Sequence, residues 1–361
     1  MAADTAARER GSSLGNYGER RLVAELLEDR YRDTASFGDD SAVIPALPSW
    51  PYELVATTDP CPEPLVASLG WDDFYYHGWL LGTINFSDLA AAGAEPLGLL
   101  VSYLLPEGLA IDDFIRIMDG VDACARRHGT QVIGGNLGDG PSVQLTGTAI
   151  GACDAGKRLS RKGASAGDAL LLVGSPGYLW SAALVRQGYA KMMPAADAEP
   201  VFERALKPVA QVAAGRLLSQ TGLARAAIDV SDGLYPSVQA LCHANGLGAV
   251  IDADADILDD LPREICRLAE VDPFAMTQLW GDWTLLVATR EQDAEQTIES
   301  LRAIDVACHR IGWLRSGNET QLSRAGQLSP WRGKDAERFT GSSWGRSKLS
   351  DYIAELVQAR P

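Results

Sequence analysis

Hydrophobic and polar positions along the chain follow helical and strand-like patterns in turn. Apolar residues recur at helical spacing in 18–30 and 111–128, and an Ala-rich apolar stretch fills 74–93, so these three segments are predicted helices. Short apolar runs with polar borders predict strands around them. The predicted strands cover 41–44, 53–57, 97–105, 130–133 and 142–150.

A polar stretch rich in Gly, Ser, Lys and Arg, 154–168, separates this half from a second run of elements. Strands are predicted there at 169–173, 226–230, 249–251, 284–288 and 308–313. Helices are predicted at 178–187, 202–220, 234–245 and 291–304, and a short one near 348–358 after an irregular segment, 323–346. Mixed strands and helices in two halves predict an α/β (α+β) fold with two domains.

The charge balance narrows the class of partner. The chain has 361 residues with 32 Lys and Arg against 48 Asp and Glu, which gives a formal net charge of −16. Duplex nucleic acids and anionic membrane surfaces attract clustered cations, so neither is an expected partner. The first residues lack the apolar core of a signal peptide, and the six cysteines are scattered without a CxxC pair. Together these features predict a cytoplasmic protein with reduced thiols.

Acidic residues gather in short motifs at the ends of apolar runs. The motifs are Gly38-Asp39-Asp40, Thr57-Thr58-Asp59, Asn85-Phe86-Ser87-Asp88 and Asp229-Val230-Ser231-Asp232-Gly233. Neighbouring carboxylates repel each other unless water or a cation separates them, and Mg²⁺ prefers such oxygen ligands beside phosphate oxygens. Taken singly, each motif also fits a plain turn, a helix N-cap or a polar helix face. Their joint occurrence with Gly134-Gly135-Asn136 favours a Mg²⁺–nucleotide site.

These motifs resemble the thiamine-monophosphate kinase family. That family lies within the PurM-like superfamily of aminoimidazole ribonucleotide synthetase, selenophosphate synthetase and the hydrogenase-maturation dehydratase. The similar stretches are FGDDSAVI (37–44), TTD (57–59), NFSDLAAAGAEP (85–96), QVIGGN (131–136), GKRLSRKGASAGD (156–168) and AAIDVSDGL (226–234). The resemblance implies an N-terminal ATP- and Mg-binding domain over 1–152 whose sheet pairs across a homodimer. It also implies a C-terminal domain over 153–335 that covers the nucleotide, and a tail over 336–361.

The resemblance further implies roles for the residues that match the family motifs. The implied Mg²⁺ ligands are Asp40, Thr57, Thr58, Asp59, Asp88, Asp229 and Asp232. The implied ATP contacts are Asp119, Gly135, Asn136, Arg161 and Ser231. Of these sets, Asp88, Asp232 and Arg161 are expected to be catalytic. A guanidinium suits phosphate oxygens, although without the resemblance Arg161 is equally a solvated charge in a basic linker. The implied cofactors are ATP and Mg²⁺.

The departures from the family pattern concentrate on the acceptor side. Gly281 stands in place of an acidic substrate contact, Val66 in place of a His, and Lys334 in place of a stacking aromatic residue. On the nucleotide side, Asn136 replaces a metal-binding Asp, and its amide oxygen brings no charge. Most nucleotide contacts are therefore kept while the acceptor contacts are lost. We expect an ATP- and Mg-dependent kinase that phosphorylates a small metabolite other than thiamine monophosphate.

The new acceptor lining has two interpretations. Trp280, Trp283 and Trp331 are candidates for an aromatic wall, with Lys334 or Arg332 facing an anion. Alternatively, these tryptophans are ordinary core or surface anchors.

Two other function classes stay open. One is an ATP-dependent cyclase or dehydratase that activates an amide through a phosphorylated intermediate. The sequence disfavours its known branches, because no Cys precedes Cys61 and the chain ends Gln-Ala-Arg-Pro without a Cys. The other is a non-catalytic nucleotide-binding homologue, which Asn136 and the missing acidic residue at Gly281 favour.

Overall fold

The computed structural model describes residues 38–44, 50–333 and 348–359. The helix predicted over 18–30, Lys334 and the segment 335–347 lie outside the described residues. Within the described part, both halves of the chain contain strands and helices, as the hydrophobic pattern predicts.

The first half builds a five-stranded sheet in the order β1-β2-β5-β3-β4. Its strands are β1 (Ala42–Ile44), β2 (Tyr52–Cys61), β3 (Glu95–Leu105), β4 (Val132–Asp139) and β5 (Gln144–Asp154). All pairs are antiparallel except β3 with β4, which run parallel through the crossover helix α3 (Ile111–Arg127). The short helix α1 (Leu65–Ser68) and the long helix α2 (Phe74–Ala91) follow β2.

The second half builds a seven-stranded sheet in the order β12-β11-β8-β10-β6-β9-β7. Its strands are β6 (Ala169–Val173), β7 (Ala224–Val230), β8 (Leu247–Asp252), β9 (Thr284–Thr289), β10 (Cys308–Ser316), β11 (Thr320–Arg324) and β12 (Gln327–Pro330). Its helices are α4 (Tyr178–Arg186), α5 (Ala195–Leu206), α6 (Val212–Thr221), α7 (Leu234–Asn245), α8 (Asp260–Ala269), α9 (Ala294–Arg302) and α10 (Leu349–Gln358).

Helix α2 joins the two halves. Most of its residues are buried, because it packs on α3, on the first sheet and on elements of the second half. The indole N–H of Trp79 and the hydroxyl of Thr83 both donate to the carbonyl oxygen of Pro208, at 2.8 and 2.9 Å. Strand β6 is buried on both faces, with Leu170 and Leu172 in one apolar core and Leu171 and Val173 in the other. The end of α2 therefore lies between the two sheets.

Several predicted boundaries are wrong for identifiable reasons. The helix predicted over 202–220 is two helices, α5 and α6, because Pro208 follows the end of α5 and cannot continue its hydrogen bonding. The segment expected to be irregular from residue 323 begins in β11, which pairs antiparallel with β12 in a hairpin. The strand predicted over 130–133 continues to Asp139, so Gly135 and Asn136 lie within a strand. Among the described residues, no helix is both long and apolar enough to cross a membrane.

Candidate active site

Three carboxylates from distant parts of the chain meet at one point. Asp40 lies just before β1, Asp88 in the last turn of α2, and Asp229 near the end of β7. One oxygen from each carboxylate lies within 4.8 Å of the others. The buried end of α2 brings them together, because it contacts β2 on one side and β7 on the other. We call these three residues the carboxylate cluster.

The cluster is electrostatically unfavourable without a cation. Burial, followed by the charges of Asp229, Asp40 and Asp59, raises the pKa of Asp88 well above its ordinary value. Burial and the charge of Asp40 likewise raise the pKa of Asp229, against the opposing effect of Arg161. A hard divalent cation removes this repulsion, and three close carboxylate oxygens are the donors that Mg²⁺ takes. The residues present therefore fit the expected metal.

Two hydroxyl groups hold the cluster in place. Thr57 donates a short hydrogen bond to Asp88, and Ser87 donates one of 3.0 Å to Oδ2 of Asp229. The side chain of Thr58 lies on the other face of β2, where its hydroxyl donates to the carbonyl oxygen of Gly147 at 2.8 Å. Asp59 returns to the face of Thr57 because side chains alternate along a strand. The structure thus brings Thr57 and Asp59 to the cluster, whereas Thr58 has only its backbone to offer there.

Arg161 is a cation that already touches the cluster. Its Nε and Nη2 atoms donate to the two oxygens of Asp40, at 3.1 and 2.5 Å. Burial alone would lower the pKa of this guanidinium, but Asp40, Asp229 and Asp88 outweigh it and raise the pKa above its ordinary value. Arg161 therefore stays charged at every working pH. A two-pronged donor in this place is also suited to bind phosphate oxygens.

The two aspartates of the Gly38-Asp39-Asp40 motif have different roles. Asp39 faces away from the cluster and accepts from the Arg158 guanidinium at 2.9 Å, the Ser160 hydroxyl at 2.8 Å and the Arg161 backbone N–H at 3.1 Å. Asp40 alone of the pair joins the cluster. The sequence does not separate these roles, because adjacent residues in a loop carry no periodicity.

The loop after β7 supplies the last predicted metal ligand. Asp232 lies close enough to Asp229 for its charge to contribute to the raised pKa of that carboxyl. Ser231 and Asp232 are both half-buried in this loop, which ends at Gly233 before α7. Both residues are therefore beside the cluster, as their motif predicts, and their individual roles stay predictions.

The remaining predicted nucleotide contacts lie further away. Asp59, Gly147, Val101 and Gly135 are register partners in a row across β2, β5, β3 and β4. Strands lie about 4.8 Å apart, so Gly135 and Asn136 are roughly 14 Å from Asp59. A Cβ atom at Gly135 would lie 1.8 Å from the Val101 carbonyl oxygen, so the position accepts no side chain. These residues share one nucleotide with the cluster only if it lies across the sheet.

Asp119 lies on the exposed face of α3 and away from the cluster. Its neighbour Gly120 packs against the carbonyl oxygen of Tyr75, at the start of α2, whereas Asp88 is near the end of that helix. At about 1.5 Å per residue, Tyr75 and Asp88 are roughly 20 Å apart along α2, and Asp119 lies at the Tyr75 end. Only a part of ATP remote from the metal-bound phosphates can reach Asp119, and its predicted contact remains a prediction.

The predicted acceptor residues are mostly buried. Val66 in α1 is only 4% exposed, and Trp283 packs against Leu80 and Ile84 of α2 with its indole N–H unpaired among the described residues. Trp280 packs edge-on against Trp180. Trp331 lies elsewhere, in the core against Tyr235 and Phe274, so the three tryptophans do not share one set of partners. This arrangement favours the anchor interpretation for Trp331.

Sequence reasoning missed Asp282, next to the predicted acceptor residue Gly281. Its carboxylate accepts from the backbone N–H of Gly177 at 2.6 Å and also from N–H groups of the first turn of α4. Burial raises the pKa of Asp282 to about 6, although those N–H groups act in the opposite direction. The signal was hidden because its partners are about a hundred positions away in the chain.

Comparison with known proteins defines the class. The family model described as "AIR synthase related protein, N-terminal domain" matches residues 38–153, and its C-terminal counterpart matches residues 165–324. The chain therefore belongs to the AIR synthase related family, a PurM-like family of ATP-using enzymes. The predicted α/β fold with two PurM-like domains is confirmed.

Within this family the chain is similar to thiamine-monophosphate kinases. It is 28% identical over 301 residues to the thiamine-monophosphate kinase of Synechococcus elongatus. The matched region covers 80% of this chain and 87% of the relative. A ThiL structure complexed with AMPPCP and TMP superposes with a TM-score of 0.74 at 23% identity, over 89% of this chain and 97% of that one. HypE in complex with ATP superposes with a TM-score of 0.60 at 20% identity, over 90% and 98%.

Proposed function

We propose that the protein is an ATP- and Mg²⁺-dependent kinase that phosphorylates a small metabolite other than thiamine monophosphate. The observation that carries this proposal is the carboxylate cluster with Arg161 beside it. Three carboxylates and one fixed cation are the groups needed to hold metal ions and to bind the phosphates between them. The similarity to thiamine-monophosphate kinases supports the choice of phosphoryl transfer.

Each group of residues at the cluster would have its own role in phosphoryl transfer. Asp40, Asp88 and Asp229 would hold Mg²⁺, with Asp59 and Asp232 adjacent to them. When bound there, Mg²⁺ would neutralise phosphate charge and stabilise the charge that develops during transfer. Thr57 and Ser87 orient Asp88 and Asp229, and Arg161 binds phosphate oxygens as a bidentate donor. An acceptor that is itself a phosphate needs no general base from the chain.

The acceptor side supports a substrate different from thiamine monophosphate. Gly281 has a φ angle of +107°, and a Cβ atom there would lie 2.4 Å from Cδ2 of Leu179. An acidic side chain at this position would require the Leu179 side chain to move. Val66 is buried within an apolar cluster, so it offers a ligand no polar contact. These two positions carry the inference that the acceptor has changed.

A homodimer through the first sheet is the second part of this proposal. Strand β4 is an edge strand whose N–H and C=O groups on one side have no neighbour in the described sheet. Two of its apolar side chains, Ile133 and Leu137, are 48% and 63% exposed. An exposed apolar edge strand favours pairing with a second copy of the chain.

One experiment separates the candidate functions. The protein is incubated with Mg·ATP and a pool of metabolites, and phosphorus NMR follows the products. A phosphorylated metabolite with ADP supports the kinase. Free phosphate with a dehydrated or cyclised product supports an ATP-dependent cyclase or dehydratase. Tight ATP binding without turnover supports a non-catalytic nucleotide-binding protein.

A further inference from the structure

Arg161 lies in a loop, residues 158–164, that is fixed at several backbone positions. We call it the Arg161 loop. The carbonyl oxygen of Ser160 accepts from the N–H of Ala227 in β7 at 2.9 Å, so the loop is attached to the strand that carries Asp229. Asp39 accepts from the N–H of Arg161 at 3.1 Å. The peptide group on the N-terminal side of Arg161 is thus held by residues next to the carboxylate cluster.

The side chain of Asn245 holds the other side of Arg161. Asn245 is the last residue of α7. Its Nδ2 donates to the carbonyl oxygen of Arg161 at 2.8 Å and to that of Leu241 at 2.8 Å. Its Oδ1 accepts from the N–H groups of Gly163 at 2.9 Å and Ala164 at 3.1 Å. Two carbonyls face the nitrogen and two N–H groups face the oxygen, so the amide has one orientation and a full set of partners.

Fixing the backbone on both sides of Arg161 matters when its guanidinium changes hydrogen-bond partners. The Arg161 side chain now pairs with Asp40, one of the three carboxylates that would hold the metal. A cation bound at Asp40 would weaken its pairing with Arg161 and leave the guanidinium available to phosphate oxygens. With the backbone fixed on both sides, the side chain rotates without the loop moving. The loop then loses little conformational entropy when the nucleotide binds.

We propose that Asn245 is a positioning residue for nucleotide binding. It fixes the backbone of Arg161 from the helix side, opposite Asp39, and keeps the guanidinium within reach of both Asp40 and the nucleotide phosphates. This inference rests on the proposed function, because it takes Arg161 to be a phosphate contact. Asn245 itself touches neither metal nor nucleotide and acts through Arg161.

The test uses Asn245→Asp in the full-length protein. The carboxylate still accepts from Gly163 and Ala164, but it sets an acceptor oxygen against the Arg161 carbonyl, where the amide donated. We expect the Kd for Mg·AMPPCP, measured by calorimetry, to rise about tenfold, the size of one lost hydrogen bond to a well-ordered group. The KM for ATP should rise in parallel while the KM for the acceptor is unchanged. In an Arg161→Ala background the same change should have no further effect on the Kd.

Gln239→Ala is the matched control. Gln239 lies on the same helix, and its amide donates to the Thr320 hydroxyl at 2.6 Å, away from the Arg161 loop. It should leave the Kd for Mg·AMPPCP unchanged. If Asn245→Asp lowers the melting temperature but leaves that Kd unchanged, or if its effect persists in the Arg161→Ala background, Asn245 is merely structural and the proposal is wrong.

A second measurement decides the case in which the wild type binds no Mg·AMPPCP and the proposed function itself fails. Nitrogen-15 NMR of the nucleotide-free protein detects the Arg161 Nε–H, assigned by its loss in Arg161→Lys. Positioning predicts that Asn245→Asp shifts or broadens this signal and that Gln239→Ala does not. An unchanged signal in Asn245→Asp would overturn the positioning role on its own.

Discussion

Ser87 donates a hydrogen bond of 3.0 Å to Asp229, a residue 142 positions further along the chain. The bond joins α2 of the first half to β7 of the second, inside the carboxylate cluster. The carboxylate cluster is therefore a product of how the two halves pack, and each half alone holds only part of the proposed metal ligands.

Asp88→Asn and Asp232→Asn should abolish turnover. Each removes a negative charge from the proposed metal site, so we expect at least about a hundredfold loss in the rate of ATP consumption, the scale of effect when one transition-state contact is removed. Steady-state assays with Mg·ATP measure this. Glu107→Gln, at an exposed position two residues after the end of β3, is the control and should retain wild-type rates. Near-normal turnover in either aspartate variant would contradict the assignment of the metal site.

Thiamine monophosphate should be a poor phosphate acceptor. The positions of three acceptor contacts in the resembling family are Gly281, Val66 and Lys334 here, so the complementary groups are absent. We expect a kcat/KM for thiamine monophosphate at least about a hundredfold below that for the true acceptor, since lost polar contacts in a site are costly. Coupled detection of ADP checks this. Efficient phosphorylation of thiamine monophosphate would show that these substitutions do not set the specificity.

Gly281→Ala should destabilise the protein more than another glycine substitution with a similar backbone. Gly222 also has a positive φ angle, +70°, but a Cβ there meets no atom within 4 Å, whereas at Gly281 it meets Leu179. Gly222→Ala should cost about 1 kcal/mol, the strain of a left-handed L-residue. Gly281→Ala should cost about 1–3 kcal/mol more, because it also overpacks the site. Urea unfolding of both variants provides the comparison, and equal losses would mean that Leu179 moves aside freely.

Asp282 should make stability depend on pH between about 4 and 6. Its pKa is raised from an ordinary 3.8 to about 6, so in this interval the folded state binds more protons than the unfolded state. The resulting stability is fully present below about pH 4 and is lost as the pH rises through about 6. A pKa shift of about two units changes the free energy of unfolding over this interval by at most roughly 3 kcal/mol.

The test of that pH dependence is Asp282→Asn, which removes the titrating group and keeps one acceptor oxygen for the N–H groups of α4. Its free energy of unfolding, from urea titrations at several pH values, should lose this part of the pH dependence. Asp112→Asn, at the exposed start of α3, is the control and should keep it. Identical pH profiles for wild type and Asp282→Asn would show that this carboxyl does not titrate in that range.

Leu137→Glu should weaken self-association through β4. A charged side chain on an exposed edge strand opposes pairing with a second copy, so the dimer Kd should rise at least about tenfold. Leu328→Glu is the matched control, since Leu328 is 55% exposed on β12, the edge strand of the other sheet. Light scattering during size-exclusion chromatography reports the mass. A dimer disrupted by Leu328→Glu rather than Leu137→Glu would place the interface on the second sheet.

The sequence predicts the fold class correctly, and it singles out three carboxylates that the structure places close together. Strands and helices with strong periodicity, such as α3, are found within a residue or two of their predicted ends. Asp40, Asp88 and Asp229 lie in compact motifs to which the family resemblance assigns metal binding, and the structure brings these three carboxylates together. A short local motif is enough to single out each carboxylate, although the three come together only in the folded chain.

The remainder depends on contacts that no local pattern contains. The strand predicted over 130–133 stops before Gly134 and Gly135, yet β4 continues through both glycines because β3 lies beside it as a parallel partner. Asn245 and Asp282 look like ordinary polar residues at the end of a helix and in a loop. Their partners are the Arg161 loop and the start of α4, about eighty and a hundred positions away.

The burial of α2 between the two sheets couples folding to catalysis. Leu89, Leu171 and Val173 share the core that lies against the carboxylate cluster, so we expect a substitution that loosens their packing to change the spacing of the carboxylates. Variants that affect the core far from the cluster should thus alter metal affinity before they unfold the protein. Substitutions at exposed loop positions, which do not contribute to this packing, should leave the spacing of the three carboxylates unchanged.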